Sequence, residues 1–267
     1  MANPFYGQNK LDDKVDNHIT GKKQVYRFGT PPIVHDYEHA AHQLVDGTAQ
    51  DTVLHSYADG LSITWSAVVG QAIDRPAPAS TGMDYAGDLV DDDGIEWVYS
   101  CVTTKGREGV DRFTVGKQAF SAELEFSIED VSGTDDCLFG FRKVEALNAT
   151  VDNYDEMAAF NVISGDIKTE TIINGATTVT TDLTSGGGDA AGNWADGGIH
   201  RLKVMVAKTG AVTYAIDGAT PSGAVAFTFD AGEVITPFFH CLQTSDTTSA
   251  LIMRKFIVES DNGSMEA

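Results

Sequence analysis

Two clusters of side chains in this 267-residue sequence carry atoms that chemistry needs. His35, Glu38 and His39 stand in the order H-x-x-E-H, with His42 close behind. On a helix, two imidazoles one turn apart can hold zinc while the carboxylate between them activates a bound water. The stretch His35 to Val45 is also the best short helix candidate in the chain. A zinc hydrolase, however, needs a long buried helix and a further ligand on another helix, and the sequence supplies neither. The motif follows Pro31-Pro32 in the least globular part of the chain, so it reads as a solvated His-rich turn. Asp88, Asp91, Asp92 and Asp93 form the second cluster, with carboxylate oxygens of the hard kind that Ca2+ takes. They lack the D-x-D-x-D-G spacing and closing Glu of a calcium loop. The expectation is no bound cofactor, with Ca2+ at these four aspartates as the alternative to a solvated acidic turn.

The elements that would have to position such groups are strands. From Gly198 to Pro221 the sequence reads as the hairpin on which the rest is arranged. Leu202, Val204 and Val206 alternate with polar or flexible neighbours, Lys208-Thr209-Gly210 turns the chain, and Val212, Tyr214 and Ile216 alternate again before Asp217-Gly218. The same period of two runs through Leu61 to Val69, Ile95 to Thr103 and Ala119 to Asp130. Leu138 to Glu145 and Met157 to Ser164 read as inner strands, Ala224 to Phe229 and Val234 to Leu242 as two more, and Leu251 to Glu259 as the strand that closes the sheet. Ile167 to Asn174 and Thr177 to Thr184 read as a hairpin across Asn174-Gly175, and Asn148 to Glu156 as an irregular or briefly helical crossover. The fold expected is all-β, a two-sheet antiparallel jelly-roll sandwich over residues 56–260. An extended N-terminal arm, residues 1–55 with the short helix near 35–45, precedes it, and a polar tail, 261–267, follows.

The strand that starts beside His200, the glycine turn and the closing Tyr214-Ala215-Ile216-Asp217-Gly218 resemble the paired strands of the concanavalin A-like lectin/glucanase superfamily, laminin G-like modules included. That resemblance implies the jelly-roll sandwich. It does not imply one activity, because lectins, glycosidases, adhesion modules and viral structural proteins share the superfamily. Its glucanases carry acid and nucleophile as E-x-D-x-E or E-x-D-x-x-E on one strand. Here Glu123 and Glu125 are followed by Glu129, and the middle Asp is absent, so no hydrolytic pair is read from them. Lectins of this shape bind ligands in loops at the sandwich ends. The resemblance thus makes Asn193, Trp194 and Asp196, in the glycine-rich loop Ser185 to Gly198, the carbohydrate-binding candidates: the indole would stack on a pyranose and the polar pair would take its hydroxyls. The alternative for Trp194 is a cap on the core at the entrance to the hairpin.

Composition bounds the partners. The formal charge is −21, with five Lys/Arg against six Asp/Glu in residues 1–50 and thirteen against thirty-three thereafter. An acidic body repels phosphate backbones, so no nucleic-acid partner is expected. No apolar run reaches the ~20 residues that cross a bilayer, and the start MANPFYGQNK lacks the order of a secretory signal, so no membrane partner is expected either. Cys101, Cys137 and Cys241 lie in apolar runs without a C-x-x-C pair and read as buried reduced thiols. The first 27 residues are net basic, opposite in sign to the body. Phe5, Tyr6, Lys22, Lys23, Tyr26, Arg27 and Phe28 are the expected partner-binding residues of an arm reaching a neighbouring subunit, with docking on its own body as the alternative. The function expected is a non-enzymatic virion structural protein, a bacteriophage capsid decoration or cement subunit assembled in the host cytoplasm. It would be homo-oligomeric, for instance trimeric, and in contact with other virion subunits. A glycan-binding module or adhesin of a tail fibre is the alternative, and a glycoside hydrolase stands behind both.

Overall fold

The structure is a computed structural model. It describes the backbone of 24–27, 53–56, 62–67, 77–79, 82–84 and 94–98, and residues 113–132, 134–145, 148, 150–183, 194–243 and 250–261. In chain order the early strands are β1 (Gln24–Arg27), β2 (Val53–Ser56), β3 (Ser62–Ala67), β4 (Ala77–Ala79), β5 (Gly82–Asp84), β6 (Gly94–Val98) and β7 (Phe113–Thr114). Then come β8 (Phe120–Ile128), β9 (Thr134–Lys143), β10 (Met157–Ile163), β11 (Asp166–Ile172) and β12 (Val179–Asp182). The last are β13 (Ile199–Val206), β14 (Val212–Ile216), β15 (Val234–Gln243) and β16 (Leu251–Ser260). One 3-10 turn, Val151–Asn153, interrupts the crossover between β9 and β10.

These strands form two antiparallel sheets. The seven-stranded sheet runs β14-β13-β8-β16-β5-β4, with β1 also paired to β16. The nine-stranded sheet runs β12-β11-β10-β9-β15-β6-β3-β2, with β7 also paired to β15. The all-β, two-sheet antiparallel sandwich expected from the alternation is the architecture found. On β8, Phe120, Ala122, Leu124, Phe126 and Ile128 are buried while Glu123 and Glu125 lie at the partly exposed positions between them. The two inner faces meet through aromatic rings: Phe126 of β8 stands edge-on to Phe239 of β15 at 5.6 Å, and Phe139 of β9 to Phe256 of β16 at 6.3 Å. Each such ring, fully withdrawn from water, contributes ~1.5–3 kcal/mol of transfer free energy.

A second, smaller apolar cluster lies on the far side of the nine-stranded sheet. Leu138, Val151, Tyr154, Met157, Ala159, Ile172 and Phe238 form it. Leu138 and Phe238 alternate with core-facing Phe139 and Phe239, so they project outward, and the crossover 150–156 folds down to cover them. This sheet is therefore buried on both faces where the crossover lies.

Several sequence expectations need correction. The hairpin of β13 and β14 is an edge of the seven-stranded sheet, while β8, between β13 and β16, occupies an interior place. Ala224 to Phe229 is not a strand. It makes an isolated bridge, Ala211 to Thr228, and Val225 is half exposed, because the segment only lies along the β14 edge. The strand begun at Ile95 is described only to Val98, and Thr177 to Thr184 contracts to Val179–Asp182. The arm also differs from the inter-subunit reading where it is described. Gln24, Val25, Tyr26 and Arg27 pair with Val258, Ile257, Phe256 and Lys255 of the same chain, so this part of the leader completes its own sheet. The helix expected near 35–45, including His35, Glu38, His39 and His42, lies outside the described residues, as do Phe5, Tyr6, Lys22, Lys23 and Phe28.

Candidate functional site

Three polar places stand out on the sandwich. The first sits on the outer face of the nine-stranded sheet, where β6, β9 and β15 run side by side. Register places Glu96 of β6 opposite His240 of β15, and alternation puts both, with Arg142 of β9, on the face away from Phe139, Phe141 and Phe239. Arg142 Nε donates to Glu96 Oε1 at 3.0 Å, and Tyr154 Oη reaches down from the crossover to both Glu96 oxygens at 2.7 and 2.6 Å. His240 Nδ1 lies 3.4 Å from Glu96 Oε2. The guanidinium stacks 4.4 Å from the centre of the Tyr154 ring and donates through Nη1 to the carbonyls of Lys143 and Glu145. Burial, and then the neighbouring Glu96 charge, push the Tyr154 hydroxyl well above its ordinary range, so it stays a donor. Glu96 and Arg142 are each 1 % exposed and His240 is 0 % exposed. A carboxylate enclosed in this way cannot meet a substrate; it can fix the crossover to the sheet.

The second place lies further along the same face. Asn161 of β10 donates from Nδ2 to Asp136 Oδ1 at 2.8 Å and accepts from the Cys137 N–H at 2.9 Å. Next to it, Glu170 of β11 accepts from Thr180 Oγ1 at 3.1 Å. Burial raises the Glu170 carboxyl above its ordinary value, with hydrogen bonds from Asn161 and Thr180 opposing. Glu156, just before β10, is raised too, again chiefly by burial, but its neighbour is the Asp230 backbone. Among the described residues no group of three His, Cys, Asp or Glu could hold a metal ion.

The third place is open. A groove of about 490 Å3 runs over the outer face of the seven-stranded sheet, lined by Ser121, Lys203, Met205, Thr213, Glu259 and Asp261 among others. Lys203 Nζ donates to Glu259 Oε2 at 2.7 Å, and Ser121 Oγ donates to the same oxygen at 3.3 Å. A cation, a carboxylate and hydroxyls over an aliphatic floor can make weak, reversible hydrogen bonds to a polar ligand. Sequence reasoning did not single this groove out. Its signal was the outward alternation of Lys203 with Leu202 and Val204, and of Glu259 with Val258.

Of the loop candidates, Trp194 is turned into the core. Trp194 is 2 % exposed. Its ring packs 4.6 Å from Phe126 and 4.6 Å from His200, and its Nε1–H donates to the Gly198 carbonyl at 3.2 Å. With both surroundings filled it caps the core at the entrance to β13 and offers no face to a pyranose. Asp196 Oδ1 accepts from the Val131 N–H at 3.0 Å, joining this cap to the turn after β8. Asn193 and the four aspartates Asp88, Asp91, Asp92 and Asp93 lie outside the described residues. Glu123 and Glu125 stand opposite Lys203 and Arg201 on β13, as paired charges on a sheet surface.

No known protein family matches the sequence, and no curated protein matches it. Among solved structures the chain is similar to the carbohydrate recognition domain of Emp47p, at 12% identity over 74% of this chain and 88% of that one, with a TM-score of 0.49. It is similar to lectin II from Ulex europaeus, at 9% identity over 91% and 99%, with a TM-score of 0.49. It is also similar to a protein of unknown function from Shewanella oneidensis MR-1, at 9% identity over 100% and 99%, with a TM-score of 0.48.

Proposed function

We propose that the chain is a non-enzymatic structural protein of a virion surface, a phage capsid decoration or cement subunit. Its acidic sandwich is displayed, and its basic leader holds neighbouring subunits. The observation that carries this reading is the use made of a fully buried carboxylate–cation–imidazole cluster among the described residues. Glu96, Arg142, Tyr154 and His240 are sealed beneath the crossover, where they serve rigidity and not turnover. Two further features support it. The charge of the body, −20 of the total −21, suits a surface that must stay soluble at high local concentration. The other is the net basic charge of residues 1–27, five Lys/Arg against three Asp/Glu, opposite in sign to the acidic body it would meet on a neighbouring subunit. The test is recovery of the chain with purified particles. A chain lacking residues 1–23, which keeps β1, should be lost from the particle fraction, while retention of the shortened chain would contradict the leader's role.

A second reading, glycan binding, is favoured by the groove with Lys203, Ser121 and Glu259. Glycan-array binding that disappears in Lys203→Ala and persists in a Trp194→Phe chain would support it. A blank array for the intact protein would remove it.

A further inference from the structure

We propose that Cys137 and Cys241 are a built cross-strand thiol pair, which an oxidising small-molecule disulfide converts into an intrachain disulfide between the two central strands β9 and β15. Both are thiols in this structure, both are fully buried, and both belong to the core between the sheets. Register sets them directly opposite each other, one step beyond the pair Phe239 and Phe139 on the same face. The kind of pair follows from the hydrogen bonds. In an antiparallel strand the N–H and C=O of one residue point to the same side. Cys137 N–H donates to Asn161 Oδ1 on β10, and Lys143 N–H donates to Glu156 O on that same side. Val144 N–H, of opposite parity, donates to Val234 O at the start of β15. Odd-numbered residues of β9 therefore turn their backbone groups away from β15, and Cys137–Cys241 is a non-hydrogen-bonded pair.

That parity decides the geometry. Non-hydrogen-bonded pairs have Cα atoms ~4.5 Å apart and side chains closer than the alternate pairs. A disulfide spans Cα separations of about 4.4–6.8 Å. The register also shifts between Cys241 and Gln243, which gives the end of β15 room to adjust. Chemically, the thiolate of one cysteine attacks a sulfur of glutathione disulfide, forming a mixed disulfide and releasing one glutathione thiolate. The thiolate of the second cysteine then attacks the protein sulfur of that mixed disulfide and releases the second glutathione. Two protein thiols and one small disulfide become one protein disulfide and two small thiols. Burial pushes the Cys137 thiol well above its ordinary range, so the closed sandwich reacts slowly and exchange proceeds when the sheet opens. The result is a lock that stays open in a reducing compartment and closes in an oxidising one.

The test treats the full-length protein with oxidised glutathione in urea at the foot of its unfolding transition, then removes both and digests without reductant. The expected product is a linked peptide pair containing Cys137 and Cys241, with two fewer thiols open to iodoacetamide under denaturing conditions. Tying a loop of roughly 100 residues should raise the thermal midpoint on the order of 10 °C, a rise absent from Cys241→Ser and retained by Cys101→Ser. Full alkylation of Cys137 and Cys241 after oxidation, persistent glutathione adducts on either, or linkage of either to Cys101 would overturn the proposal. The linkage is read on the natural chain, so the answer does not depend on any variant folding.

Discussion

At the scale of single residues, the buried charges set the sharpest expectations. Removing one member of an enclosed ion pair leaves the other without compensation, which costs about 3–5 kcal/mol, whereas replacing both by apolar groups of similar size is often close to neutral. Arg142→Met should therefore lower stability by that amount in urea denaturation. Arg142→Met combined with Glu96→Gln, which removes the charge but keeps an acceptor for the Tyr154 hydroxyl, should recover part of it, and equal losses in the single and double variants would show that the Glu96 charge is not what Arg142 offsets. Glu170 makes a prediction about pH. Burial raises its carboxyl above the 4.5 of an exposed glutamate, so the native chain holds this proton more tightly than the unfolded chain. The stability linked to it is fully present below pH 4.5 and is lost as pH rises through the native value. Glu170→Gln should remove that decline, so its urea midpoint should gain on the natural chain as pH climbs from 4.5. A constant difference across pH would mean the carboxyl does not titrate differently on folding.

Elements are held apart or together by what fits between them. Gly140 of β9 is the tightest place: a Cβ there would meet Ala158 O at 2.3 Å and Ala159 Cα at 2.5 Å, both backbone atoms of β10. Gly140→Ala must push β10 away from β9, and destabilisation of several kcal/mol is expected, checked by the loss of amide-exchange protection along β10 before β8. Trp194→Ala belongs to the same scale. Because its ring seals the end of the core against Phe126, the loss should be about 3–5 kcal/mol of stability. Much of this level could be read from sequence. The alternation of β8 marks its buried face, and Asn174-Gly175 turns with both residues at positive φ, as an N-G hairpin does. What alternation does not encode is neighbourhood. Nothing in the period of Leu202, Val204 and Val206 distinguishes an edge hairpin from a central one, and Ala224 to Phe229 has a strand's composition without a partner for its length. Glu96, Arg142 and His240 escaped notice for the same reason, since they are far apart in sequence and become a cluster only when β6, β15 and β9 are set side by side. The place of Trp194 in its loop leaves it two roles, and only packing chooses between them.

For the molecule as a whole, charge is the dominant unbalanced quantity. A chain of −21 repels itself, and salt at 0.15 M screens charges beyond ~8 Å. Its thermal midpoint should rise between 10 mM and 150 mM NaCl, and an unchanged midpoint would mean that the carboxylates are already neutralised locally. Among the described residues the sandwich keeps a charged cluster covered by the crossover, an open groove on the seven-stranded sheet, and a leader strand along β16. The most direct measurement is quantitative mass spectrometry of gradient-purified virions beside the particle-free fraction, for the full chain and for the chain lacking residues 1–23. Stoichiometric copies of the full chain in the particle peak, with the shortened chain displaced to the particle-free fraction, are what a leader-held surface subunit predicts. A full chain found only free of particles would contradict it.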